Sequence, residues 1–252
     1  MIPAPKTMFT ERDISPYRRF DWTSLRLDDV KAVKNTLGGT INDVVVATTT
    51  GAVRRFLIRR NEDADAIEGF RTMLPVNTRK LGGPSSGNHV AMLLADLPIS
   101  EPNPIERLKK VIAITTKLKT ESNQTGGAEL IEEIADLTTK RIISELYNAA
   151  MQLRTYNLVI TNVPGPPLPL YLLDAPMKAI FPMVPLMKNQ NLGIALFSYN
   201  GGLHWGFNAD WESFPDVHEF VEDLETSFAE YMELAAARAP EISGGKGASA
   251  PT

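Results

Sequence analysis

The side chains best suited to chemistry in this sequence lie beside glycines and prolines, where the chain has to turn. Gly38-Gly39-Thr40-Ile41-Asn42-Asp43 closes one apolar-periodic segment and opens another. Thr40 is a good helix N-cap, and Asp43, three residues on, completes a capping-box-like pair at a positive helix end. Asn42 is then left without a capping task, so Asn42 and Asp43 are both candidate site residues, the second with capping as its plain alternative. Arg18 and Arg19 carry guanidinium forks that suit phosphate oxygens, and that equally suit pairing within the chain. Arg79, between an apolar run and Gly82-Gly83, is placed to approach an anionic group, while Asn88 can hold the far end of that loop through backbone hydrogen bonds. Asn162 precedes Pro164-Gly165-Pro166-Pro167, which must end a strand sharply.

Nucleophiles and bases are scarce. Without cysteine, thiolate nucleophiles, thiolate metal sites and disulfides are excluded. The three histidines, His89, His204 and His218, are scattered, and His204 alternates with Leu203 and Trp205, as a polar-face residue of a hairpin would. No catalytic residue and no metal set is assigned.

The elements that must carry these residues follow from hydrophobic periodicity. Residues 1–22 read as an irregular arm, apolar enough to need a packing partner. Ser24 is expected to cap a helix to about residue 37, and Thr40 one to about residue 60. Apolar runs at 70–78 and 89–99 predict two strands joined by a Gly-rich loop. Helices follow at about 102–119 and 127–153, then strands at 156–163 and 176–184. A hairpin is predicted around Asn200-Gly201-Gly202, and a closing amphipathic helix begins at Val217. Residues 23–238 form one domain in this reading, and residues 239–252, rich in Gly, Ala, Ser and Pro, form a disordered tail. Helices and strands mix without regular βαβ alternation, which predicts an α+β fold, a mixed or antiparallel sheet with helices packed on it.

Four segments, in order, resemble the C-terminal half of the bacterial wax ester synthase/diacylglycerol acyltransferase family. They are residues 4–20, where Phe9-Thr10 replaces the usual Leu-Asn; Thr40-Ile41-Asn42-Asp43-Val44-Val45; Pro75-Val76-Asn77-Thr78-Arg79 with Gly87-Asn88-His89-Val90; and Asn157 through Pro167. The resemblance implies a chloramphenicol acetyltransferase-like fold of two related halves around a tunnel. It also implies transfer of an acyl group from acyl-coenzyme A to diacylglycerol or a fatty alcohol, giving triacylglycerol or wax ester, with acyl-coenzyme A as substrate and no cofactor. The family's histidine base, in the motif H-H-x-x-x-D-G, belongs to its N-terminal half, and no histidine here fits that motif: His204 has Asn208, and His218 has Glu222, four residues on. The chain is therefore expected to supply the wall opposite that half, which would act in cis or in trans. Arg18, Arg19, Arg79, Asn88 and Asn162 then become candidate acyl-coenzyme A or substrate contacts, and residues 180–187 either line an acyl channel or fill a core. A non-catalytic lipid- or acyl-coenzyme A-binding module, or an interaction subunit, is the alternative.

Composition sets outer bounds. A chain of 252 residues can bury about 70–75% of its unfolded surface in one unit. A net charge of −4 leaves no electrostatic footprint for nucleic acid. No run approaches the roughly 18 apolar residues that read as a membrane span, so the expected location is cytoplasmic, with membrane or lipid-inclusion contact peripheral.

Overall fold

The computed structural model describes residues 3–10, 13–77, 90–125 and 155–244. Its frame is a six-stranded mixed sheet. The strands are β1 (Arg18–Arg26), β2 (Arg71–Asn77), β3 (Val90–Asp96), β4 (Leu158–Pro164), β7 (Leu192–Tyr199) and β8 (Gly202–Asp210), in spatial order β1-β8-β7-β4-β2-β3. A two-residue ribbon, β5 (Tyr171–Leu172) with β6 (Ala175–Pro176), stands apart from the sheet. β4 runs parallel to both β2 and β7, and the remaining pairs are antiparallel. Helices α1 (Leu27–Leu37), α2 (Ile41–Arg59), α3 (Pro104–Thr125) and α4 (Val217–Gly244) complete the fold.

One core joins the helices to one face of the sheet. Leu158, Ile160, Ile194, Leu196, Trp205 and Phe207 alternate along their strands toward Val45, Val53 and Phe56 of α2 and Phe220 and Leu224 of α4. α2 is the central helix, buried almost all round from Asp43 to Val53, and two of its buried threonines are tolerated because Thr49 and Thr50 donate to the carbonyls of Val45 and Val46 at 3.0 and 2.7 Å. Gly51 lets α4 and Arg107 come close, since a Cβ there would run into Ser227 and Arg107.

The N-terminal arm finds the packing partner its composition demands. Phe9 is fully buried among Phe56, Phe70, Phe214 and Phe220, with ring centroids 5.3 to 6.2 Å away. Asn157 and Asn191 pin the arm by donating to the carbonyls of Pro5 and Met8 at 2.8 and 2.7 Å.

Several expectations change. Arg18–Arg26 is one continuous strand against Gly202–Asp210, so the arm's expected end at residue 22 falls inside β1, and α1 starts at Leu27. Ser24 caps nothing; it sits opposite His204 in the ladder, and cross-strand pairing overrides its local capping preference. The strand expected at 176–184 does not form beyond Pro176, where β6 ends, because Pro182 cannot donate to a ladder. That segment instead covers the second face of β8, where the Val184 carbonyl accepts from Asn208 at 2.9 Å and Phe181 packs edge-on against His204. The last helix continues to Gly244, past the boundary expected at residue 238. The helix expected at 127–153 lies outside the described residues.

Candidate functional site

The turn before α2 is built as its residue types require. Gly38 and Gly39 take φ of 98° and 82°, open to glycine at little cost, and a Cβ on Gly39 would come within 2.9 Å of Ile112 on α3. Thr40 then caps α2 through a reciprocal box: the Asp43 amide donates to the Thr40 hydroxyl at 3.2 Å, and the Thr40 amide to the Asp43 carboxylate at 2.8 Å. The other oxygen of Asp43 accepts from Thr115 of α3 at 2.6 Å. Asp43 is 2% exposed, and both its carboxylate oxygens are held within the protein.

Asn42 has the opposite environment. Among the described residues its side chain has no hydrogen-bond partner, and it lines an open crevice of about 510 Å³. The opposite wall comes from the ends of the strands. β4 presents Asn162 and Pro164, two and four steps beyond the core residue Ile160 and on the same face, and β7 and β8 add Ser198 and Leu203. Gly165 donates to the Ser198 hydroxyl at 3.1 Å, which fixes where β4 leaves the sheet. Asn162, like Asn42, has no side-chain partner among the described residues. Lys34 of α1 and Lys119 of α3 complete the rim.

The other sequence candidates lie elsewhere. Arg18 and Arg19 are at the opposite end of β1 from the crevice, about 27 and about 24 Å from Arg26 at strand rise. Arg18 donates to the carbonyls of Ser15 and Tyr17 and pairs with Asp210 at 3.5 Å; Arg19 lies 3.6 Å from the Trp211 ring centroid and donates to the Trp211 carbonyl. Both are engaged within the chain, the plain alternative for such arginines. Arg79 and Asn88 lie outside the described residues.

Of the histidines, His89 is also outside the described residues, and neither of the others reaches the crevice. His204 lies on the second face of β8, away from Leu203 and Trp205 as its alternation predicted, but that face is covered: it is 6% exposed, with its Nδ1 2.7 Å from the Ser24 hydroxyl. Burial pushes its imidazole below the ordinary value, against the pull of the Tyr199 carbonyl. His218 is exposed at the start of α4, where the Asp21 carboxylate, 2.7 Å from Nδ1, raises it.

Among the described residues, the crevice thus offers two free amides, a hydroxyl and two ammonium groups, with apolar contacts from Leu27, Ile41, Pro164 and Leu203. Such a lining can bind and orient a long, partly polar ligand. The described lining holds neither a nucleophile pair nor a general base. Sequence reasoning missed Lys34, Lys119 and Ser198, because they converge only through the parallel register of β4 and β7 and the packing of α1 and α3.

The fold is one half of a chloramphenicol acetyltransferase-like architecture. The structure superposes with a TM-score of 0.56 on the epimerization domain of tyrocidine synthetase B, at 10% identity, over 94% of this chain and 52% of that one. It matches a wax ester synthase/diacylglycerol acyltransferase from Marinobacter aquaeolei better, with a TM-score of 0.75 at 27% identity over 92% of this chain and 53% of that one. Residues 86–232 fit the WS/DGAT C-terminal domain, and residues 1–45 fit part of the wax ester synthase/diacylglycerol acyltransferase catalytic domain. A putative diacylglycerol O-acyltransferase of Mycobacterium bovis is 30% identical over 240 residues, 94% of this chain and 51% of the relative.

The chain belongs to the wax ester synthase/diacylglycerol acyltransferase family, and it spans about half the length of the curated relatives it matches. Asn42 falls in the catalytic-domain match and Asn162 in the C-terminal match, so the crevice draws on both.

Proposed function

We propose that this chain works as the C-terminal half of an O-acyltransferase that moves an acyl group from acyl-coenzyme A to diacylglycerol or a fatty alcohol. Its crevice forms the wall facing a histidine-bearing H-H-x-x-x-D-G half, supplied in cis or in trans. The observation that carries this reading is the convergence of Asn42 and Asn162, from the two most family-specific segments of the sequence, on one crevice, both amides free among the described residues. The crevice supplies positioning and the other half supplies the base, a division consistent with the lack of a histidine in the described lining. Peripheral contact with a lipid phase is part of the reading. Leu168, Leu172 and Leu173, exposed on and beside the ribbon that follows β4, give it an apolar surface, and no described helix is long and apolar enough to cross a membrane.

The test is thiol release from palmitoyl-coenzyme A with hexadecanol or diacylglycerol as acceptor, for this chain alone and mixed with a catalytic half from the family. Turnover confined to the mixture supports the proposal. Equal turnover by the chain alone would place a base within it and overturn the division of labour, and a mixture that binds acyl-coenzyme A without turnover would favour a non-catalytic binding module.

A further inference from the structure

Among the described residues, Lys34 and Lys119 stand out by meeting, unpaired, at one crevice. Most described basic side chains are neutralised: Arg54 by Asp65, Arg55 by Glu230, Arg59 by Asp223, Arg60 by Asp216, Arg71 by Asp96, and Lys110 by Glu101. Lys34 and Lys119 have no ion-pair partner among the described residues, and both face the same crevice from different helices. The described lining contains no carboxylate, in a chain with 30 acidic against 26 basic residues. The nearby Asp43 directs its oxygens to Thr40 and Thr115. Among the described residues the crevice is therefore a local positive well in an acidic protein.

We propose that Lys34 and Lys119 bind the phosphate groups of coenzyme A, while Asn42 and Asn162 meet the amide-bearing pantetheine arm. The inference rests on the acyltransferase reading above and assigns to this crevice the polar end of the acyl donor, not its acyl chain. Two compact ammonium charges on flexible stems suit the several phosphate oxygens of the nucleotide end, and amide side chains suit a ligand whose polar groups are themselves amides. The crevice residues, and not Arg18 or Arg19, then carry the anion.

Calorimetric titration of this chain with unacylated coenzyme A tests the assignment. Coenzyme A should bind, at least tenfold more tightly than pantetheine, with inorganic pyrophosphate competing and affinity falling as salt rises. Lys34→Ala with Lys119→Ala should weaken binding at least tenfold at unchanged thermal stability, whereas Lys188→Ala, at an exposed lysine outside the lining, should change nothing. Absence of coenzyme A binding, equal affinity for pantetheine, or indifference to the double substitution would overturn it. The two proposals fail separately: turnover by the mixture without coenzyme A binding here sinks only this one, and lysine-dependent binding without turnover sinks only the other.

Discussion

The Thr115 hydroxyl donates to Asp43 at 2.6 Å, tying the first turn of α2 to the middle of α3. Because the same carboxylate accepts from Thr40, one side chain fixes the turn that presents Asn42, and a structural residue and a ligand-facing residue are neighbours in sequence. Asp43→Ala removes the reciprocal cap and the short bond from Thr115, whose hydroxyl keeps only the Ile112 carbonyl of its own helix at 3.2 Å. The expected loss is about 1.5–2.5 kcal/mol, summing a cap of about 1 with one buried hydrogen bond of about 0.5–1.5. Thr115→Val should cost less. Urea unfolding at constant m-value checks this, and a loss below that of Thr115→Val would contradict it.

Asn42→Ala and Asn162→Ala should behave in the opposite way. Neither amide has a partner to lose among the described residues, so stability should stay within about 0.5 kcal/mol of the parent. Turnover by the reconstituted enzyme should fall in both. A large drop in melting temperature would reveal a structural role and remove either residue from the site.

The two described histidines should titrate apart. His204, lowered by burial, stays neutral through the range where an ordinary histidine charges; the folded state binds fewer protons than the unfolded, so it loses stability as pH falls below about 6.5. His218, raised by Asp21, contributes stability that is fully present below about 6.5 and is lost as pH rises through its raised value. Ring NMR titration should show His218 shifted up, returning toward the ordinary value in Asp21→Asn, with His204 shifted down. Coincident titration near 6.5 would refute both assignments.

Arg18 tests the exclusion of the strand arginines from the site. Its partner Asp210 is buried, a condition that by itself raises a carboxyl, but the donors Ser213 and Ser15 outweigh burial and hold it below the ordinary carboxylate range. That stabilisation is present above a pH of about 4 and is lost as acid protonates the carboxylate through its lowered value. Arg18→Ala should shift thermal stability and leave coenzyme A affinity unchanged; weakened affinity with intact stability would return Arg18 to the site.

Much of this was legible in the sequence. The capping box at Thr40 and Asp43, the free Asn42 and the hairpin at Asn200-Gly201 are local features, set by residue type and spacing within one turn, and the structure holds them as read. What local reasoning misplaced was decided by distant partners. Ser24 follows His204 into a ladder, residues 18–22 leave the expected arm to become part of an edge strand, and residues 177–187 cover β8 instead of joining a sheet. The crevice itself needs the parallel alignment of Asn162 with Leu196 and Pro164 with Ser198, which no periodicity reveals.

A double-mutant cycle on Asn42 and Asn162, reading kcat/KM for palmitoyl-coenzyme A in the mixture with a catalytic half, bears most directly on the claim that one crevice serves the acyl donor. The account predicts that each alanine lowers kcat/KM at unchanged stability and that the pair departs from additivity by about 0.5–3 kcal/mol, as residues sharing one ligand do. Two single variants with parental kcat/KM would contradict it.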